Sequence, residues 1–378
     1  MPDVDPIPLS ALTTLRTGGA PERMVEARTA DELVSALRRA WDADEPWLAL
    51  GGGSNLFVGD EPVEGTVVRV LTRGIERMPG SRPGTARLRV AAGHDWDDLV
   101  AHTVEHGLAG IEAMSGIPGT VGAAPVQNIG AYGQEIEQTL VEVELIDEGA
   151  DAPVTVPASD LGLGFRTSVL KHHYGSEPRR RAVILSVTLE LAEVGDGERP
   201  IGGEQLRGAL GLEPDHAATL GWIRDRVLAV RRSKGMVLDD ADHDTHSAGS
   251  FFQNAVVSPA FARTLPAACP RWPVRPDADV ATVIPLSQFD GVVPKPVADD
   301  PDVKVSAGWL IEQAGVRKGF RLGRSRAAVS TKHALALTNR GDATAAEIAE
   351  LARFIQGRVV AEFGLVLQPE PVLVGVEL

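Results

Sequence analysis

The sequence predicts a protein of mixed α/β or α+β class. Segments typical of strands alternate along the chain with segments typical of amphipathic helices. The stretches 86–92 and 139–146 alternate apolar and polar residues, as half-exposed antiparallel strands do. The 378 residues, 43% of them hydrophobic and 24% charged, suffice for about two or three globular domains with a proper core.

The N-terminal part begins with a β-α-β pattern. Thr29 and Glu32 form a capping-box sequence, and the helix after them places Leu33 and Leu37 on one face. The other elements predicted before residue 193 are strands at 47–50, 66–71, 86–92, 139–146 and 182–192, and a helix over 95–107 that ends at a glycine.

The C-terminal part follows a polar loop at 193–203, which we interpret as a domain boundary. A second capping box at Thr344 and Glu347 opens a helix that we expect to run to Phe363 and to stop at Gly364. The remaining predictions are helices over 219–234 and 305–315, strands at 334–338 and 371–378, and a Pro- and Asp-rich irregular excursion at 265–304.

Charge and cysteine content limit the partners and the compartment. A net charge of −15 argues against nucleic acid and against an anionic membrane surface. The single cysteine, Cys269, excludes a disulfide framework. The N-terminal segment lacks the basic start and apolar block of a signal peptide, and no apolar run approaches the ~20 residues of a membrane span. We therefore expect a cytoplasmic protein.

Two glycine-rich stretches carry the chemical signal. Residues 51–55 (GGGSN, the glycine loop) follow a short strand and can be either a tight turn or a bare backbone that binds a phosphate. Residues 110–136 (the small-residue run) contain six glycines and two charged side chains. This run can be a buried irregular loop, but its backbone polar groups then need partners, and a large polar ligand would supply them.

Several stretches in the right order resemble the UDP-N-acetylenolpyruvoylglucosamine reductases, the MurB family of cell-wall precursor synthesis. The resemblance covers nearly the whole chain. The matching stretches are TLRTGGAP (14–21), ALGGGSNLFVGD (49–60), SGIPGTVGAAPVQNIGAYGQE (115–135), GFRTSVLK (164–171), RRSKG (231–235), SAGSFFQN (247–254), SAGWLIEQAG (306–315), LTNRGDAT (337–344) and QPEPVLVG (368–375).

The resemblance implies an α+β fold with a two-lobed FAD-binding domain of the vanillyl-alcohol-oxidase (PCMH) type and a smaller α+β substrate-binding domain. We expect an FAD-binding domain over 1–215 with its lobes split near 75–85, a substrate-binding domain over 216–365, and a final strand at 366–378 that carries a catalytic glutamate. The resemblance also implies that FAD is bound without a covalent link, that NADPH is the reductant, and that no metal takes part.

The resemblance assigns the glycine loop to the FAD pyrophosphate and the small-residue run to the flavin. The cofactor-binding residues expected on this basis are Leu50, Gly51, Gly52, Gly53, Ser54, Asn55, Leu56, Ser115, Gly116, Ile117, Pro118, Gly119, Thr120, Val121, Gln127, Asn128, Gly130 and Tyr132.

The implied reaction is reduction of UDP-N-acetylglucosamine enolpyruvate to UDP-N-acetylmuramate by a monomeric enzyme. Arg166 would pair with the substrate carboxylate, Ser250 would donate a proton, and Glu370 would stabilise the developing charge. Taken singly, each of these residues fits an ordinary surface or turn position better than a catalytic one, and only the family frame reverses that preference. The substrate-binding residues expected are Tyr132, Arg166, Arg231, Lys234, Ser250, Asn254, Lys304 and Glu370.

The chain departs from the family pattern at a few positions. Phe165 and Thr167 replace Tyr and Asp beside the arginine, and Ala255 replaces a proline, so we expect a less rigid turn there. The loop at 200–206 has no aromatic residue where many members carry a tyrosine.

Two other function classes remain possible from the sequence. One is an FAD-dependent sugar or lactone oxidase of the same superfamily, although 48–60 contains no His or Cys for covalent flavin attachment. The other is a binding protein that has kept the fold without catalysis. Reduction of bound flavin by NADPH, followed by reoxidation by the enolpyruvyl nucleotide, distinguishes the reductase from both.

Overall fold

The computed structural model describes residues 3–274 and 302–378. The excursion predicted at 265–304 lies for the most part outside the described residues. The N-terminal lobe comprises a three-stranded parallel sheet of order β1-β4-β2 and one helix that covers it. Its elements are β1 (Pro21–Ala27), α1 (Ala30–Asp42), β2 (Trp47–Leu50), β3 (Leu56–Val58) and β4 (Val63–Val70).

The first capping box forms as predicted and fixes the start of α1. The Thr29 hydroxyl accepts from the Glu32 amide, and the Glu32 carboxylate accepts from the Thr29 amide. Leu33 and Leu37 are fully buried against the sheet. The predicted β-α-β order is confirmed, with the middle strand of the sheet beginning three residues before the predicted 66–71 segment.

The second lobe is an antiparallel sheet of order β11-β10-β12-β6-β5, with β7 added to β12. Burial along the strand at 85–91 alternates residue by residue, so the prediction of half-exposed antiparallel strands is confirmed. The elements are β5 (Ile75–Pro79), β6 (Thr85–Ala91), α2 (Trp96–Glu105), β7 (Leu108–Ala109), β8 (Gly130–Ala131), β9 (Gln134–Glu135), β10 (Leu140–Asp147), β11 (Val154–Pro157) and β12 (Ala182–Glu193).

The remaining elements form a helical connection and a C-terminal α+β unit. They are β13 (Arg199–Pro200), α3 (Glu204–Leu210), β14 (Ala217–Ala218), α4 (Leu220–Ser233), β15 (Ala255–Val257), α5 (Pro259–Thr264), β16 (Arg271–Pro273), β17 (Val303–Val305), α6 (Ala307–Gln313), β18 (Ala327–Val329), β19 (Leu337–Asn339), α7 (Ala345–Phe363) and β20 (Val372–Val374). The second capping box, Thr344 with Glu347, forms, and α7 ends at Gly364 with φ +68° as predicted.

Three local predictions need correction. The strand expected at 334–338 is β19, shifted towards 339, because the Ser330 hydroxyl accepts from the amides of Lys332 and His333 and so holds the preceding residues in a turn. The strand expected at 371–378 stops at Val374, since Gly375 takes φ +64°. Ala255 starts β15 and pairs with Val305, so the expected loose turn is instead a strand.

Two large hydrophobic cores divide the molecule. One joins both N-terminal sheets with α1 and α2, and the other fills the C-terminal unit around α6 and α7. Phe57 of β3 belongs to the second core, where its ring packs against Phe251 at 5.5 Å. β3 also pairs in parallel with β20, Leu56 opposite Val372. The C-terminal unit is therefore anchored directly behind the glycine loop.

Candidate functional site

A cleft of about 990 Å³ lies where the lobes and the C-terminal unit meet. Its walls come from the glycine loop, the small-residue run, the segment around Arg166, the residues before Phe251, and the start of β20. These segments are far apart in sequence. The predicted site residues that line the cleft are Gly51, Gly52, Gly53, Ser54, Asn55, Leu56, Ile117, Pro118, Gly119, Thr120, Gln127, Gly130, Arg166, Arg231, Ser250 and Glu370.

The glycine loop packs too closely on its neighbours to accept side chains. A Cβ on Gly52 would lie 2.7 Å from the Gly119 Cα, and one on Gly53 would lie 2.1 Å from the Leu12 carbonyl oxygen. Gly53 also has φ +60°, in the left-handed region that favours glycine. The three glycines thus allow this loop and the small-residue run to form one continuous backbone wall.

The amides of this wall are available to a ligand. Within the described residues, the N–H groups of Gly52, Gly53 and Ser54 donate to no protein acceptor. Buried or cleft-facing amides normally have a partner, and a row of them in a glycine-rich turn is a binding site for an anion such as a pyrophosphate. The geometry therefore favours the phosphate-binding interpretation over the simple turn.

Much of the small-residue run satisfies its polar groups within the protein. The Trp96 amide donates to the Gly119 carbonyl, and the Val121 amide donates to the His94 carbonyl. Ser115 and Asn128 are fully buried, and the Ser115 hydroxyl donates to the Glu112 carbonyl. The predicted cofactor residues that lie outside the cleft lining are Leu50, Ser115, Gly116, Val121, Asn128 and Tyr132. Their role in cofactor binding stays a prediction.

Asn128 and Gly130 have a structural task at the site, because their carbonyls hold Arg166. Arg166 donates from Nη1 to the Asn128 carbonyl at 3.1 Å and from Nη2 to the Gly130 carbonyl at 2.8 Å. Its Nε lies 3.4 Å from the Glu370 Oε1. Arg166 itself has φ +55°, a strained conformation for a residue with a side chain. The guanidinium is thus fixed in orientation, and within the described part of the chain two of its five N–H groups contact no protein acceptor.

Ser250 and Glu370 reach the same cleft through one antiparallel bridge, Phe252 opposite Pro369. The Glu370 amide donates to the Phe251 carbonyl at 2.9 Å, and both phenylalanines are buried in the C-terminal core. Burial raises the pKa of Glu370, although Arg166 and Lys171 oppose the shift. A carboxyl group in this setting can hold a proton at a higher pH than one in water.

Three of the cationic residues expected to bind substrate lie near other predicted site residues. Burial lowers the pKa of Arg231, whose Nη2 donates to the Met236 carbonyl. The Lys234 ammonium lies 5.5 Å from the centre of the Tyr132 ring, and the Lys304 ammonium lies 4.2 Å from that of Phe165. Tyr132 has φ +52° in the two-residue turn between β8 and β9. Lys234 and Lys304 lie outside the cleft lining itself.

Asn254, predicted to contact substrate, accepts a hydrogen bond from the Ala307 amide at 3.0 Å. It also lies outside the cleft lining. A direct contact between Asn254 and substrate stays a prediction. The structure gives it a clear second task, because this bond fixes the start of α6 to the strand that follows Ser250.

Two titratable residues near the site were not predicted from the sequence. Lys171 is 2% exposed and donates to the Glu370 carbonyl at 2.9 Å. Burial, and then Lys234, Lys318 and Arg231, lowers the pKa of His333 to about 4. The only sequence signal for Lys171 was its position at the end of the GFRTSVLK stretch, and nothing in the sequence marked His333.

Within residues 3–274 and 302–378, no helix is both long and apolar enough to cross a membrane. The same residues contain no group of three or more His, Cys, Asp or Glu side chains that could hold a metal ion.

Comparisons with known proteins agree with this geometry. The model of the family described as FAD binding domain matches residues 21–152, and that described as UDP-N-acetylenolpyruvoylglucosamine reductase, C-terminal domain, matches residues 240–374. The chain is 51% identical to a UDP-N-acetylenolpyruvoylglucosamine reductase of Leifsonia xyli subsp. xyli, covering 99% of this chain and 100% of the relative. It is 46% identical to that of Saccharopolyspora erythraea, covering 97% and 94%.

A solved structure is similar over the same extent. The UDP-N-acetylenolpyruvylglucosamine reductase (MurB) from Thermus caldophilus aligns with a TM-score of 0.59 and 26% identity, covering 98% of each chain. Together with the FAD-binding match, this confirms the predicted α+β class with a two-lobed FAD-binding portion.

Proposed function

Because the chain belongs to the UDP-N-acetylenolpyruvoylglucosamine reductase family, we propose that Arg166, Ser250 and Glu370 carry out its reaction. The enzyme is an FAD-dependent oxidoreductase that uses NADPH to reduce UDP-N-acetylglucosamine enolpyruvate to UDP-N-acetylmuramate, a step of peptidoglycan precursor synthesis. The observation that supports our proposal is that these three side chains, 204 residues apart at the extremes (370 − 166), line one cleft with the glycine loop.

The residues present fit FAD. The amides of Gly52, Gly53 and Ser54 would hold its pyrophosphate, and the wall from Ile117 to Gly119 would lie along the flavin. When bound, FAD would supply hydride transfer from NADPH to the terminal carbon of the enolpyruvyl group. The protein must then stabilise the negative charge that develops at the adjacent carbon and donate a proton to that carbon.

Arg166 is suited to the substrate carboxylate. Two carbonyls hold its guanidinium in place, so that the group needs no reorganisation when charge develops. Glu370 lies on the Nε side of the same guanidinium. Because burial raises its pKa, Glu370 can carry a proton and donate a hydrogen bond to the carboxylate as that group gains charge.

Ser250 would donate the proton to the adjacent carbon. A serine hydroxyl is a weak acid, so it serves only where the carbon is strongly basic and a neighbour returns a proton to the oxygen. Gly249, with φ +73°, and the hydrogen bond from the Phe251 amide to the Leu335 carbonyl fix the backbone on both sides of Ser250. Ser250 lines the cleft, and its backbone is joined to the segment before β19.

Arg231, Lys234 and Lys304 would attract the diphosphate groups of the substrate and of NADPH. Arg231 lines the cleft of a chain whose net charge is −15, and such a local positive charge would focus anionic ligands there. Tyr132, in contact with Lys234, and Asn254 would complete the nucleotide contacts.

We further propose the division into an FAD-binding domain (1–215), a substrate-binding domain (216–365) and a final segment (366–378), in a cytoplasmic monomer. The β3–β20 pairing supports treating the final segment as a separate part, because its strand joins the N-terminal lobe. Sedimentation of the purified protein near 40.0 kDa would support the monomer, and a mass of about 80 kDa would exclude it.

The function is tested by anaerobic spectroscopy of the flavin-loaded protein. NADPH should bleach the flavin absorbance, and the enolpyruvyl nucleotide should restore it without oxygen. Recovery that required oxygen would indicate an oxidase, and purified protein without flavin would indicate a binding protein. Arg166→Met should bind FAD normally but slow recovery by about 10² or more, because it removes the cation from the carboxylate.

A further inference from the structure

We propose that Lys171 is a positioning residue of the reaction, whose ammonium group fixes the Glu370 segment against Gln127 and supplies a second positive charge for the substrate carboxylate. The inference rests on the proposed roles of Arg166 and Glu370. Lys171 was not among the residues expected from the sequence, and it lines the same cleft as Arg166 and Glu370.

The contacts of Lys171 are specific. Its Nζ donates to the Glu370 carbonyl oxygen at 2.9 Å and to the Gln127 Oε1 at 3.2 Å. Asn55 of the glycine loop donates from Nδ2 to both of these same oxygens. One ammonium group therefore joins the segment that carries Glu370 to the wall that holds the cofactor.

Its burial argues against a role in packing alone. Lysine is among the residues least often fully buried, and Lys171 is 2% exposed. An apolar side chain of similar length would fill the space without the large desolvation cost of a buried cation. Both direct acceptors of the ammonium are neutral oxygens, so its hydrogen bonds leave the positive charge uncompensated.

The charges around Lys171 indicate which group would neutralise its ammonium. Arg166 and Lys171 contribute two positive charges, and Glu370 contributes at most one negative charge, so at least one positive charge remains (2 − 1 = 1). The Glu370 side chain retains 14% exposure and Arg166 22%, both towards the cleft. An anionic group that enters the cleft beside Arg166 would neutralise the surplus. The substrate carboxylate is such a group.

Among the described residues, the titratable groups that interact with Lys171 are Glu370, Arg166 and His173. Glu370 lies on the segment before β20, while Arg166 and His173 lie on the segment that carries Lys171 itself. Gln127 and Asn55, from the other two walls, are uncharged. Burial lowers the pKa of Lys171 to about 8, with Glu370 opposing the shift and Arg166 adding to it. The surplus charge is therefore present below pH 8 and is lost as the pH rises above it.

The test compares Lys171→Met and Lys171→Arg with wild type in the two half-reactions, from pH 6 to pH 10. Lys332→Met is the matched control, because that lysine pairs with Asp242 away from the cleft. In wild type, flavin recovery by the enolpyruvyl nucleotide should slow above pH 8. Lys171→Met should slow recovery about tenfold or more at pH 7 and abolish this break. Lys171→Arg should move the break towards higher pH.

Bleaching by NADPH, measured with FAD added to saturation, should stay near wild type in both variants, which separates positioning of Glu370 from a general loss of structure. If Lys171→Met does not fold, the position of the break in Lys171→Arg decides alone. An unchanged break in Lys171→Arg, or a wild-type recovery rate in Lys171→Met, would overturn the inference. Failure of wild type itself to recover with the nucleotide would refute the proposed function instead.

Discussion

Replacing Gly52 by alanine tests whether the glycine loop is a cofactor site. The new Cβ would lie 2.7 Å from the Gly119 Cα, whereas ordinary contact begins at 3.4 Å. The two walls of the cleft must therefore part by about 0.7 Å (3.4 − 2.7) at this point. The obstacle is backbone rather than a flexible side chain, and Gly52 does not have a positive φ, so the clash is the only penalty.

The displacement has two expected consequences. Overpacking of this kind costs about 1–3 kcal/mol of folding free energy. It also moves the amides at 52 and 53 away from a bound pyrophosphate. Loss of one hydrogen bond to a charged group weakens binding by about 1.5–3 kcal/mol, or about 10-fold to 150-fold in Kd.

The measurement is FAD titration of the deflavinated protein, followed by flavin fluorescence, with thermal unfolding of the same samples. Gly357→Ala is the control, because Gly357 lies within α7 with no atom within 4 Å of a Cβ. That control should bind FAD as wild type does and gain about 1 kcal/mol in stability from helix propensity. If Gly52→Ala bound FAD with wild-type affinity, the loop would be only a turn.

Three further outcomes are expected. Ser250→Ala should leave bleaching by NADPH intact and slow flavin recovery by about 10²–10⁴, measured by stopped flow; loss of bleaching would contradict its role as proton donor. His333 has a folded pKa of about 4 against 6.5, so the folded state resists its protonation and stability falls as the pH drops from 6.5 to 4. His333→Asn can keep the acceptor for the Leu335 amide and should remove up to about 3 kcal/mol of this loss of unfolding free energy between pH 6.5 and 4, measured by urea titration at each pH. If the free energy of unfolding of the variant fell with pH as steeply as that of wild type, His333 would not be the group responsible. Thr344→Ala should cost about 1 kcal/mol, seen as a lower Tm with unchanged flavin content; an unaltered Tm would show that the cap is dispensable.

Local features of the fold could be predicted because they depend on residues near one another. The capping boxes at Thr29 and Thr344 are formed by residues three positions apart, and the alternation along 86–92 lies within one strand. The end of β20 and the start of β19 could not be predicted, since a glycine conformation and a serine-centred turn decide them. The sequence pattern therefore predicts the type of an element better than it predicts the residue at which that element ends.

The sequence predicted many of the residues that line the cleft, but not the direction in which their side chains point. The family resemblance assigned Asn128 to the cofactor, whereas its side chain is buried and its carbonyl holds Arg166. The role of Lys171 could not be predicted, because its main contact is with Glu370, 199 residues further along the chain (370 − 171). Side-chain direction and long-range packing are set by the tertiary structure, and no local pattern records them.

The pairing of β3 with β20 has a consequence for how the protein acquires its site. Leu56 and Val372 are 316 residues apart (372 − 56), so this contact is among the least local in the chain and its closure is entropically late in folding. It is also the contact that brings Glu370 behind the glycine loop. The same contact thus completes the cofactor pocket and brings in the carboxyl group proposed to be catalytic, and a ligand that binds only the paired state would stabilise it. Refolding in the presence of FAD should accordingly yield more native protein than refolding without it.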